Sequence, residues 1–171
     1  MAYQKSKFVY FCNRVYFSLY SLFLGFDRLN DRIFPFVRRT LEKNNAYDLL
    51  RNPDYGMQMY FVNFLMISLE GGLMLLLLPV LQIIFGIEFR VFWTENLAIL
   101  SIILGLTTML FSHIVLWRKN LYLKYFRLFE KDTKRSKVKW NVLTFVSYVA
   151  LHVLLFLLFV LAEKSTGTFK W

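Results

Sequence analysis

Residues 60–87 form an apolar run interrupted by one ionisable side chain, Glu70. As a helix rising about 1.5 Å per residue, this run outlasts the roughly 30 Å hydrocarbon thickness of a bilayer. It is expected to cross with tilt, or with a bend at Pro79, whose missing N–H and ring clash interrupt the hydrogen-bond ladder. Residues 97–117 and 142–162 repeat the pattern with no Asp, Glu, Lys or Arg at all. The expected fold class is therefore all-α, a polytopic integral membrane protein in a single helical domain. Residues 8–26 supply a further helix that either lies in the interface or spans as a fourth helix, with Arg14 reaching a headgroup layer in both cases.

Charge sets the orientation. The chain is 57% hydrophobic and 19% aromatic yet carries a formal +10. In a water-soluble protein that balance would point first to a polyanion. Here the Lys and Arg residues concentrate in 1–59 and 118–139, while the short connection 88–96 holds Glu88, Glu95 and only Arg90. The positive-inside rule then puts the two basic blocks in the cytoplasm, as expected for a bacterial inner membrane. Trp117 and Trp140 fall at the inner boundary and Trp93 at the outer one. Lys5 and Lys7 ahead of 8–26 faintly resemble a signal peptide, but Asn13 and Arg14 break its apolar run and no cleavage pattern follows.

Between the N-terminal helix and the first span, residues 27–31 read as a polar turn and 32–43 as a surface helix with Arg38, Arg39 and Lys43 on its basic side. Asn52 and Pro53 are a helix-start signal, reinforced by Asp54. The second span has no stop signal at Trp117, so a cytoplasmic helical extension over 118–132 is expected.

Depth brings polar residues together. Glu70, Thr107, Thr108 and His152 all fall about halfway across, with Ser68 half a turn away. A charged Glu facing lipid costs several kcal/mol, so Glu70 is expected to face protein, with His152 as its nearest candidate partner. Ser68/Gly72 and Ser101/Gly105 are small-xxx-small pairs that permit close approach of the first two spans. The layer reads in two ways. It is a packing clamp or partner contact, or it passes protons or a cation; the second reading needs an oligomer, because so few helices enclose no aqueous pore.

Arg118, Lys119, Lys124, Arg127, Lys131, Lys134, Arg135, Lys137 and Lys139 make a basic cytoplasmic face that enforces topology or binds anionic lipid. Nucleic acid is the disfavoured partner, since no nucleic-acid fold accompanies these charges. The glycines form neither a dinucleotide fingerprint nor a phosphate loop, and no nucleophile elbow or zinc-protease motif occurs. His113, His152 and the single cysteine, Cys12, do not converge as a metal site. Cys12 reads as a small buried apolar group, and His113 as structural. Catalysis would rest on Glu70 and His152 alone, so lipid-modifying enzymology is the weakest reading. The expected function is that of a non-enzymatic subunit without cofactor, packing on itself or on another membrane protein.

Overall fold

The computed structural model describes residues 6–53 and 56–167. All regular structure among them is helical: α1 (Lys7–Ile33), α2 (Pro35–Lys43), α3 (Ala46–Arg51), α4 (Met57–Leu75), α5 (Leu77–Phe85), α6 (Ile87–Glu95), α7 (Leu97–Ser112), α8 (Leu121–Phe129) and α9 (Lys134–Ser165). Three stretches of these residues are long and apolar enough to cross a membrane: Met57–Phe85, Leu97–Phe129 and Lys134–Ser165. Each of the three apolar runs in the sequence lies within one of them, apart from the last two residues of the first run. The chain divides into two compact units, one of Met1–Met66 with Ser112–Phe145 and the other of Ile67–Phe111 with Val146–Trp171.

In the first unit, α1 runs straight through the expected turn at 27–31. Asp27 and Asp31 are four residues apart and share one helix face, where both meet Arg51 of α3. Arg51 donates from Nε to Asp27 Oδ2 at 2.6 Å and from Nη2 to Asp31 Oδ2 at 2.5 Å. Tyr47 OH donates to Asp31 at 2.7 Å, Gln58 Nε2 to Asp27 at 2.7 Å, and Tyr20 OH to the Arg51 carbonyl at 3.0 Å. The polar residues that read as a turn therefore serve as a tertiary clasp. The helix stops at Phe34, in the extended-side conformation that a following proline imposes. Pro35 then opens α2, which buries none of its residues. The first span starts at Met57 rather than at Asn52–Pro53, and Asp54 lies outside the described residues. Gly56 is required just before it, because a Cβ there would stand 2.6 Å from the Leu50 carbonyl oxygen.

The expected continuous extension of the second span is bent. After α7 the chain makes a π-helical turn at His113–Trp117, and Lys119 and Asn120 both adopt left-handed backbone, φ +55° and +52°. Asn13 Nδ2 donates to the Val115 carbonyl at 3.0 Å, a side chain inserted where the regular ladder is interrupted. The bend starts α8 afresh, with Tyr125, Phe126 and Phe129 buried. These rings pack on α1: Phe126 lies 5.6, 5.2 and 5.1 Å, centroid to centroid, from Tyr16, Phe17 and Tyr20. Aromatic burial of this kind dominates a core's energetics. Cys12 is buried on the same helix.

In the second unit the first span breaks between α4 and α5, at Leu76. Pro79 is the cause, since it cannot donate to the Leu75 carbonyl four residues earlier and its ring crowds that oxygen. Gly86 turns the chain with φ +71°, a value glycine tolerates without strain. The short connection over 88–96 then forms a helix, α6. Buried Gln82 ties it down: its Oε1 accepts from Trp93 Nε1 at 3.0 Å and its Nε2 donates to Glu163 Oε1 at 3.3 Å. Arg90 Nε lies 3.0 Å from both oxygens of Glu163, so α5, α6 and α9 share one charged and amide-bridged knot.

Candidate functional site

The mid-span polar layer belongs to the second unit. Ser68 on α4 faces α9, where its Oγ lies 3.2 Å from His152 Nε2 and accepts from Tyr148 OH at 3.2 Å. His152 Nδ1 lies 2.8 Å from the Tyr148 carbonyl, one turn back on its own helix. A carbonyl only accepts, so Nδ1 carries the proton and Nε2 is left to accept from Ser68. The hydrogen bonds thus run in one direction, from Tyr148 OH to Ser68 to His152 Nε2, and from Nδ1 back to Tyr148. The two rings lie 4.4 Å apart between centroids at 33°.

Glu70 is buried at 5% exposure, as a mid-span carboxylate needs. The neighbour seen at His152 Nε2 is Ser68. Residues two apart on a helix differ by about 200°, so a helix that turns Ser68 toward α9 turns Glu70 away from it. Thr108 is buried but spends its hydroxyl on its own helix, donating toward the Leu104 and Gly105 carbonyls at 3.0 and 2.9 Å. Thr107 is exposed and likewise bonds back to Ile103. Neither threonine joins the Ser68–His152 chain.

The small residues are also used differently from the expectation. A Cβ on Gly72 would stand 3.1 Å from Leu151 Cδ2, so the Ser68/Gly72 face packs on the third span. Gly71, not Gly72, looks toward the second span, with a built Cβ 3.9 Å from Thr108 Cγ2. A Cβ on Gly105 would meet nothing within 4 Å, and Ser101 is exposed.

The first unit holds a second buried ionic group that the sequence did not disclose. Arg14, 1% exposed, places Nη1 2.7 Å from Asp132 Oδ2 and donates from Nη2 to Ser136 Oγ at 3.3 Å. Its guanidinium also sits 4.5 Å from the Phe129 ring centroid and 5.5 Å from that of Trp140. Arg14 therefore points into protein instead of reaching a headgroup layer. Asp132 lay in the expected basic extension, with nothing in its spacing to mark it as the partner of a residue 118 positions earlier.

The basic residues Arg118, Lys119, Lys124, Arg127, Lys131, Lys134, Arg135 and Lys139 are exposed. Lys137 is half-buried and its Nζ donates to the Glu130 carbonyl at 2.7 Å. On α8 the charges Lys124 and Arg127 lie opposite the buried Tyr125–Phe126–Phe129 face, an amphipathic arrangement suited to a membrane surface. In the Asp27–Asp31–Arg51 clasp, burial works against ionisation of Asp31, but hydrogen bonds from Tyr47 and Arg51 outweigh it and hold the carboxyl below its ordinary range. Burial likewise opposes the Arg51 charge, and Asp31 and Asp27 more than offset it.

Among the described residues no group of three or more His, Cys, Asp or Glu is placed to hold a metal ion. The chain matches no protein-family model, no curated protein and no solved structure.

Proposed function

We propose that this chain is a small non-enzymatic subunit of a bacterial inner-membrane assembly, with its basic face in the cytoplasm and α1 lying at that surface. Its mid-span polar residues hold its own helices together. The observation that carries this reading is the closed hydrogen-bond chain Tyr148–Ser68–His152. An imidazole bonded through Nε2 to Ser68 of α4, and through Nδ1 to a carbonyl of its own helix, ties α4 to α9. Because Gly72 is taken up against Leu151, the uncovered Ser101/Gly105 face of α7 is where a neighbouring transmembrane helix, from another protein or a second copy, would approach closest.

The test uses the full chain in liposomes and in a mild detergent. Ser68→Ala and His152→Phe should each lower resistance to unfolding, by about 0.6–1.7 kcal/mol for each interhelical hydrogen bond lost. Liposomes under an imposed pH or potassium gradient should hold it. A gradient that wild-type protein dissipates and His152→Phe does not would replace this reading with one of ion or proton movement. Gly105→Leu should reduce the mass of the native assembly, and an unchanged mass would remove the α7 face from it.

A further inference from the structure

The bend after α7 builds a pocket in the first unit that the polar layer does not involve. It is an open pocket of about 310 Å³, and its lining includes Tyr16, Tyr60, Asn63, Trp117, Asn120 and Tyr122. Four aromatic rings and two amides are an unusual concentration. Tyr16 OH donates to Asn63 Oδ1, which fixes the amide, and Tyr16 meets Tyr122 edge-on at 5.7 Å. Backbone that is costly to form serves the same place. Trp117 ends the π-helical turn, and Asn120 is the second of two consecutive left-handed residues. Such strain in non-glycine residues, like a π-turn inside a helix, concentrates at functional sites. Arg118 and Lys119, between Trp117 and Asn120, are exposed cations.

The geometry points to a binding site for a phosphate–ammonium headgroup, that of a zwitterionic phospholipid such as phosphatidylethanolamine. Ring faces and amide oxygens accept an ammonium without a carboxylate, and none of the described lining residues is a carboxylate. A zwitterion would set its ammonium among the rings and its phosphate toward Arg118 and Lys119, the exposed cations between Trp117 and Asn120 in the chain. The volume of about 310 Å³ falls in the range of small-molecule sites. Its level fits as well: Tyr60 lies near the start of the first span, and Trp117 was placed at the inner boundary from sequence.

This inference uses the membrane placement proposed above and not the α4–α9 clamp. The experiment is lipid retention by the full chain, extracted from nanodiscs of equal phosphatidylethanolamine and phosphatidylglycerol and weighed by native mass spectrometry. Wild type should retain phosphatidylethanolamine about fivefold or more over phosphatidylglycerol. Tyr60 is 71% exposed, so Tyr60→Ala keeps the fold while cutting this preference about three- to tenfold. Lys119→Gly removes a charge but keeps the left-handed backbone, and should weaken retention too. Soluble phosphoethanolamine at millimolar concentration should fail to displace the lipid; full displacement would reassign the site to a soluble phosphoamine. Equal retention of both lipids, or a Tyr60→Ala protein indistinguishable from wild type, overturns the proposal. Ser68→Ala should leave the preference unchanged, which separates failure here from failure of the clamp.

Discussion

Arg14 and Asp132 provide the sharpest test of how the first unit is held. The guanidinium is 1% exposed and its carboxylate partner 32%, with 2.7 Å between them. In Asp132→Asn the charge on Arg14 stays buried and loses its counter-ion. Breaking a buried pair in this way costs about 3–5 kcal/mol. Water reaching Asp132 and the Phe129 and Trp140 rings beside the guanidinium place this one at the low end, about 3 kcal/mol. Arg14→Met is the milder change, because Met fills the space of the arginine stem and the freed carboxylate turns to solvent. It loses the hydrogen bond to Ser136 and the ring contacts, about 1–2 kcal/mol. The order is therefore inverted from a simple count of lost contacts: removing the partner hurts more than removing the buried residue. The double variant should resemble Arg14→Met, which is the signature of direct coupling. Tryptophan fluorescence during titration from a mild detergent into dodecyl sulfate reads all three. An Asp132→Asn protein as stable as wild type, or an Arg14→Met protein clearly less stable than Asp132→Asn, would refute the reasoning.

Two further outcomes are expected. Because the Asp31 carboxyl is held below its unfolded value of 3.8, its contribution is complete above that pH and is lost as acid protonates the folded form. The clasp joining α1 to α3 should then loosen in acid below about pH 4, seen as faster amide exchange in Ala46–Arg51, and Asp31→Asn should weaken that pH dependence. Gly72→Leu drives a side chain into Leu151, 3.1 Å from the built Cβ, and should destabilise the isolated chain by about 1–3 kcal/mol in the same dodecyl sulfate titration. Gly105→Leu, with nothing within 4 Å, should leave it as stable or slightly more so; a reversed order would mean that the glycine faces are wrongly assigned.

Much of the architecture is legible from one dimension because lipid is a harsh solvent. An unbroken apolar run of spanning length has few folded alternatives to a helix, since every backbone N–H and C=O must be satisfied within the run. Hence the three spans, the break associated with Pro79 and the burial of Glu70 follow from residue types alone. Spacing is a weaker guide where polar residues have several ways to be satisfied. Residues 27–31 have the composition of a turn and become helix, because Arg51 donates to both aspartates on one face. Residues 113–120 have the spacing of a helix and become a bend, held by Asn13 from α1.

The sequence by itself determined which segments are apolar enough to leave water, which ends are basic, and that a carboxylate and an imidazole fall inside two of the apolar runs. Only the tertiary structure decided which groups meet: Ser68 with His152, Asp132 with Arg14, and four rings around one pocket. Composition acts through transfer free energy, which adds up locally along the chain. Pairing depends on helix rotation to within a fraction of a turn, and that rotation is chosen by packing between segments far apart in sequence.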